Sequence, residues 1–314
     1  MDAQLHWNTS SVVIDLHAHP TRRPSVGGGH YTVAMPELPE VETVRRSLRG
    51  IIGVRIAAVE VFRPLVICGQ RTEEALLVGA QIGALARRGK ELLILSDGRA
   101  MAVHLGMTGS LRHVLKPALA PDSKFAKHVH VRWSLADGGV LEFHDPRRFG
   151  GIWTFPDSAA ARQARWGKLG PDAQHIAAAE LYDRLQRTRR AIKAALLDQH
   201  LVAGLGNIYA DELLFACRIR PTIPANRLTP AHARQLVTVM RALLRRAIAA
   251  RGSSVRDYTD ARGQAGRFQL RHQVYGRYGQ PCRRCKTILR AMRVGGRTST
   301  YCPRCQPPRL AGAR

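Results

Sequence analysis

Four cysteines near the end of the chain, Cys282, Cys285, Cys302 and Cys305, form two CxxC pairs separated by sixteen residues. That is the spacing of a tetrahedral four-cysteine zinc site with no open position, hence structural rather than catalytic. A stretch this short cannot own a hydrophobic core, so the sequence predicts a small β-hairpin held by one structural Zn2+. The alternative, two disulfides, needs an oxidising compartment that nothing else in the chain supports. Arg290, Arg293 and Arg297 lie between the pairs, at what reads as the hairpin tip, where arginines can meet phosphates. The remaining cysteines, Cys68 and Cys217, sit in mainly apolar stretches and read as small core residues.

The rest of the chain suits a phosphate-rich partner. Its 314 residues carry 49 Lys+Arg against 23 Asp+Glu, a formal charge of +26. Arginine usage alone would explain Arg outnumbering Lys, but not the shortage of acids, so nucleic acid is the expected partner. No run of eighteen apolar residues occurs, which leaves no candidate membrane span and no membrane partner. The first thirty residues lack the basic start, apolar run and cleavage site of a secretory signal, so a cytoplasmic, nucleoid-associated protein is expected.

Along the chain the pattern changes three times, and the fold class expected is α+β. Residues 1–34 carry a Gly27-Gly28-Gly29 run and a His17-Ala18-His19 pair that imitates the HxH of metal-dependent hydrolases. Such a site needs further ligands spread over a barrel, whereas the remaining sequence reads as something else, so the pair is taken as coincidence and the stretch as an upstream extension outside the mature protein. From Pro36 a helix is expected, with Pro39 in its first turn, Glu40 and Glu42 at its positive end, and Val41, Val44 and Leu48 as its apolar stripe. Strand signals follow at Val54–Phe62, Glu91–Ser96, Met101–Leu105, His128–Leu135 and Val140–His144, giving a strand-rich domain over 35–165. Helices dominate 166–263, with Thr188–His200 and Asn207–Cys217 flanking a glycine loop and a long helix capped by Thr229-Pro230. The zinc module occupies 264–306 and a tail 307–314.

Several residues carry chemistry. Asn207 reads as the N-cap of a helix whose glycine-flanked start could also receive an anion. The turns His104-Leu105-Gly106-Met107-Thr108-Gly109 and Asp145-Pro146-Arg147-Arg148-Phe149-Gly150 place Met107 and Phe149 where turns usually place polar residues. Such residues beside arginine can wedge between bases, although isolated Met and Phe more often fold into a core. Pro36 is the centre of the reading. As an internal residue it only punctuates a helix entry; as a terminal residue it is a secondary amine, and terminal amines titrate near neutrality. Such an amine can attack a sugar C1′ and form an iminium, with Glu37 and Glu40 placed to move protons and Lys90 to supply a cation.

Together these segments resemble the formamidopyrimidine-DNA glycosylase family, from Met35 to about Gln306. The resemblance rests on Pro36-Glu37-Leu38-Pro39-Glu40-Val41-Glu42, the Arg88-Gly89-Lys90, His104-Leu105-Gly106-Met107 and Asp145–Gly150 turns, Ala191-Ile192-Lys193, the Gly206-Asn207-Ile208-Tyr209 helix start, Val274-Tyr275-Gly276-Arg277 and the four-cysteine finger. It implies a β-sandwich with a leading helix, then a helix–two-turns–helix domain with a zinc ribbon, and double-stranded DNA containing oxidised purines bound by a monomer. Under it Pro36 is the nucleophile, Glu37 the general acid, Glu40 a supporting carboxylate and Lys90 a phosphate- or proton-handling cation. Met107, Arg147 and Phe149 fill the gap left by a flipped base, and Lys193, Asn207 and Arg297 belong to the DNA contacts. The reaction implied is glycosidic cleavage followed by β,δ-elimination.

Two departures stand out. Thirty-four residues precede Met35, so the nucleophile exists only if translation or processing exposes Pro36. His272 stands where the pattern carries an apolar residue, and is expected to loosen the finger without touching chemistry. If the extension stays attached, the alternative is a lesion-binding zinc protein without catalysis. A general nucleic-acid binder, indifferent to lesions, is the third reading.

Overall fold

The computed structural model describes residues 35–115, 126–255 and 258–310; the extension and the HxH pair lie outside them. The chain opens with α1 (Leu38–Ser47) and continues through β1 (Ile56–Val61), β2 (Ile67–Cys68), β3 (Ile82–Arg88), β4 (Glu91–Ser96) and β5 (Ala100–His104). Then come β6 (Ser110–Val114), β7 (Val129–Leu135), β8 (Val140–His144) and β9 (Gly151–Phe155). One antiparallel sheet runs β1-β7-β8-β6, and the other runs β2-β9-β5-β4-β3 with only β2 and β9 parallel. Strand alternation sends Val131, Trp133 and Phe143 of the first sheet and Ile82, Ile94 and Val103 of the second into one core. The two sheets therefore form a sandwich. Val41 and Val44 of α1, with Leu48 at its C-terminal cap, plug the same core, as their spacing predicts.

The helical half comprises α2 (Ser158–Trp166), α3 (Ala178–Gln186), α4 (Ile192–Leu197), α5 (Asn207–Ala216) and α6 (Pro230–Ala249). Helix α2 covers the outer face of the second sheet through Ala161 and Trp166. Helix α6 starts at Thr229, whose hydroxyl accepts the His232 N–H, and buries a stripe of Leu236, Met240, Leu243 and Ala247. This second core takes in Leu38 from α1, so the two halves meet at the entry to that helix. Among the described residues no helix is long and apolar enough to cross a membrane.

The finger closes the chain with β10 (Arg290–Val294) and β11 (Arg297–Tyr301), joined by Gly295-Gly296. Two expectations need correction here. Arg290 pairs with Tyr301 at the base of the hairpin, so only Arg293 and Arg297 flank its tip. Cys68 is exposed, because β2 is a two-residue edge strand, whereas Cys217 is buried as expected.

Candidate active site and DNA interface

The entry to α1 is built from both halves of the molecule. Glu37 precedes the helix, and its backbone N–H donates to Glu40 Oε2 at 2.9 Å, half of a capping box. The Glu37 carboxylate also reaches beyond its own helix. It accepts the N–H groups of Gly206 at 2.7 Å, Ile208 at 2.8 Å and Tyr209 at 3.3 Å, and so caps α5 from about 170 residues away. A side chain at Gly206 would overlap the Glu37 carboxyl group, so glycine is the residue that permits this approach. The expected local cap is thereby corrected. Gly206 occupies the cap position and Asn207 is the first residue of α5, while its buried Oδ1 finds no partner among the described residues. The helix start does receive an anion, as the sequence suggested, but the anion is the chain's own glutamate.

Glu40 lies one turn further in and accepts three bonds at its carboxylate, from the Glu37 N–H, from Tyr209 Oη at 2.6 Å and from the Ser253 N–H at 2.7 Å. Gly252 brings that last loop in with φ +77°, and a Cβ there would stand 2.6 Å from Glu40 Oε1. Burial pushes both carboxyls up. Glu40, repelled also by Glu37, rises to about 7, and Glu37 rises against the pull of Lys90 and of the three N–H groups on it. Lys90 sits in the β3–β4 turn, buried, with its basicity lowered by that burial and with Glu37, Glu40 and Arg297 within electrostatic reach.

That turn is fastened by residues the sequence did not single out. Asp172 accepts the Gly89 N–H at 2.9 Å and Arg87 Nη1 at 2.7 Å, and Arg87 also donates to Glu42 at 3.0 Å. Arg87 thus ties the sandwich to the helical half beside Lys90. No sequence spacing signals a bridge across 85 residues.

The two wedge turns form one unit. Asp145, fully buried, accepts Thr108 Oγ1 at 2.6 Å on one oxygen and the Gly150 N–H at 2.7 Å on the other. The Arg147 N–H reaches both Thr108 Oγ1 and Asp145 Oδ1. Arg148 is held at φ +57°, the strained left-handed region, with its N–H on the Asp145 carbonyl. The result displays Phe149, 52% exposed, under the Arg147 guanidinium at 4.8 Å, with Met107 half-buried in the partner turn. Phe149 does not fold into the core.

Lys193 is displaced from its expected role. It is fully buried, and its Nζ donates to Asp211 Oδ1 at 2.7 Å and to the Thr298 carbonyl at 3.0 Å. Asp211 also accepts Ser299 Oγ at 2.6 Å and the Thr300 N–H at 3.0 Å. An ammonium so enclosed cannot reach DNA directly; it pins the finger hairpin to α4 and α5 and thereby sets where Arg297, exposed, projects.

The four finger sulfurs lie within 4.8 Å of one another, with Cys282–Cys305 at 4.0 Å and Cys285–Cys302 at 3.4 Å, and none is in a disulfide. A zinc tetrahedron with bonds of about 2.3 Å has sulfur–sulfur edges of about 3.8 Å, so these thiols fit one structural zinc. Around them Val274, Leu289 and Phe215 make only a small core.

A sandwich and a helix–two-turns–helix unit that meet at a buried two-glutamate helix start, with a zinc hairpin and an aromatic wedge alongside, define a lesion-processing DNA glycosylase. The formamidopyrimidine-DNA glycosylase N-terminal domain matches residues 35–152, its H2TH domain 169–259, and a zinc finger found in FPG and IleRS 279–308. The chain is 42% identical over 278 residues to the formamidopyrimidine-DNA glycosylase of Bacillus subtilis, covering 87% of this chain and 99% of that one. A solved structure of the MutM (Fpg) protein of Thermus thermophilus is 39% identical with TM-score 0.75, covering 86% and 98% of the two chains. A Lactococcus lactis Fpg complex with abasic-site DNA is 34% identical with TM-score 0.77, covering 86% and 99%. The chain belongs to the formamidopyrimidine-DNA glycosylase family.

Proposed function

We propose that this protein excises oxidised purines, 8-oxoguanine and formamidopyrimidines, from duplex DNA and then cuts the strand as an AP lyase. The observation that carries this reading is the pair of buried acids, Glu37 and Glu40, directly behind Pro36 and clamped to the start of α5.

The steps follow from these groups. The Pro36 amine attacks C1′ as the N-glycosidic bond breaks and the base leaves with a proton. Glu37 protonates the sugar ring oxygen, the ring opens, and the C1′–nitrogen bond becomes an iminium. Loss of a C2′ proton expels the 3′ phosphate, and a second elimination expels the 5′ phosphate. Glu40 supports the proton transfers, Lys90 neutralises charge beside them, and Asn207 with Arg297 holds the phosphates flanking the lesion. Met107, Arg147 and Phe149 occupy the gap after flipping, without which the reacting C1′ stays out of reach. The zinc holds the hairpin that carries Arg297 and takes no part in the chemistry.

The working enzyme in this reading begins at Pro36, and it acts as a monomer on nucleoid DNA in the cytoplasm. The family match starts at Met35, and the Bacillus relative is spanned over 99% of its length by 87% of this chain. Protein starting at Pro36 is expected to nick an 8-oxoguanine:cytosine duplex and leave phosphate on both new ends, and protein retaining Met1 to bind it uncut. Nicking by the chain with Met1 intact, or none by the Pro36 protein, defeats the assignment.

A further inference from the structure

Strand β7 carries one residue more than the stretch of β8 it pairs with. Val129 stands opposite His144 and Val131 opposite Phe143, so His130 is the extra residue of a β-bulge. A bulge re-aims the side chain it adds. The His130 ring is buried and turns to the residue just past the end of β8, with Nε2 2.7 Å from the Asp145 carbonyl oxygen. A carbonyl oxygen only accepts, so the ring is the donor and the hydrogen of that bond is on Nε2.

Asp145 is the residue on which both wedge turns hang. Its carboxylate holds Thr108, the Arg147 N–H and the Gly150 N–H, and its own N–H is fixed on the His128 carbonyl at 3.1 Å. Its carbonyl takes the Arg148 N–H at 3.2 Å, the bond that closes the turn with Arg148 left-handed. Among the described residues, His130 supplies the one side chain on that carbonyl. The node itself cannot slide along its strand, because the His130 carbonyl accepts the Phe62 N–H at 2.9 Å and the Arg63 N–H at 3.1 Å.

The ring is an expensive group to bury there. Nδ1 is buried with no hydrogen-bond partner among the described residues, and the Phe143 ring lies 6.3 Å away between centroids. A leucine in that place would strand no polar atom. What offsets the stranded nitrogen is the bond made by the other one.

We propose that His130 is a positioning residue that, by holding the Asp145 carbonyl, keeps Arg147 and Phe149 set to enter the duplex before DNA arrives. The proposal rests on the reading of those two residues as occupants of the gap left by a flipped base. Without the bond the carbonyl can swing, the Arg148 N–H loosens with it, and a left-handed arginine that only its surroundings hold relaxes. The turn must then be ordered while the base leaves the stack. Binding is spared, because phosphate contacts elsewhere carry it, and eversion of the base is slowed.

The test uses zinc-loaded protein made from its own gene, with His130→Leu to remove the donor and His130→Gln to supply another from its side-chain amide. By NMR, amide exchange at Arg148 is expected to quicken about tenfold in His130→Leu, the weight of one hydrogen bond, and to return toward the native rate in His130→Gln. A duplex with 2-aminopurine beside an 8-oxoguanine:cytosine pair then reports eversion. His130→Leu is expected to bind it with unchanged affinity while the fluorescence rise slows about tenfold, and His130→Gln to restore the rise. A histidine that merely supported the sheet would lower affinity and eversion together, and glutamine would rescue neither. Arg148 exchange unmoved in His130→Leu, or a native rate of eversion from a loosened turn, overturns the proposal. His130→Asn, polar but too short to reach the carbonyl, takes the place of His130→Leu if that variant does not fold. A Phe149→Ala protein that everts the lesion at the native rate overturns the reading of the wedge instead, while Arg148 exchange still judges the anchor.

Discussion

Replacing Asp211 with alanine tests whether a buried ion pair, rather than surface charge, positions the DNA-binding hairpin. The substitution removes the Lys193 ion pair, the Ser299 bond and the Thr300 bond together. Lys193 is left as a fully buried ammonium holding only the Thr298 carbonyl. Stranding one partner of a buried pair costs about 3–5 kcal/mol, far more than an exposed pair is worth. For a unit the size of the helical half plus finger this is a drop in unfolding midpoint of roughly 6–20 °C. Burial already lowers the Lys193 pKa, so once Asp211 is gone the ammonium sheds its proton more readily, and the loss shrinks as pH rises through that lowered pKa toward the ordinary lysine value. The double change Lys193→Met with Asp211→Leu removes both charges, so it is expected to recover most of the loss. Calorimetry of the zinc-loaded protein reads all three variants. A loss below about 1 kcal/mol for Asp211→Ala, or a double variant as unstable as the single, refutes the argument and returns Lys193 to the surface.

Three further outcomes follow from the site. Because folding raises the Glu40 pKa from 4.5 to about 7, its carboxyl binds a proton more tightly folded than unfolded, and the stability it contributes is present below pH 4.5 and lost as pH rises through 7. Glu40→Gln is expected to remove a pH dependence on the order of 3 kcal/mol across that window, read by urea midpoints at about pH 5 and about pH 8. Gly206→Ala displaces the Glu37 carboxyl from the α5 start, so it is expected to abolish base excision with the zinc content unchanged, as a cleavage assay and metal analysis on one sample will show. Chelating the zinc is expected to release the hairpin and with it lesion binding, measured by anisotropy, while the helical signal of α3 and α6 in circular dichroism persists.

What the sequence made legible follows from how local each signal is. Helix α1 was readable because Pro39, its acids and its apolar stripe all lie within one short segment. Strands β4 and β8 were found at their observed limits, as compact β-rich runs. Strand β3 was missed because it pairs only with β4 at the sheet edge and buries just Ile82 and Leu85, so its small and charged residues show no alternation. The metal set and the glutamates stood out because their chemistry needs particular residue types at close spacing. Misread residues share one cause, a partner distant in sequence. Asn207 looked like a cap because the real one, Glu37, stands at the start of another helix; Lys193 looked available for phosphate because Asp211 gives no local sign of pairing with it. His272 looked like a misfit in the finger for the same reason, since Ser253, Phe268 and Tyr275 enclose it only in the fold.

The central claim is that Pro36, as a terminal amine, performs the chemistry beside Glu37. Protein produced from the native gene with its own upstream region, mixed with an 8-oxoguanine:cytosine duplex under borohydride, puts it to trial. The account predicts a covalent protein–DNA adduct whose trapped peptide begins at Pro36. An intact Met1 with the duplex bound and no adduct, or an adduct on any other residue, contradicts it.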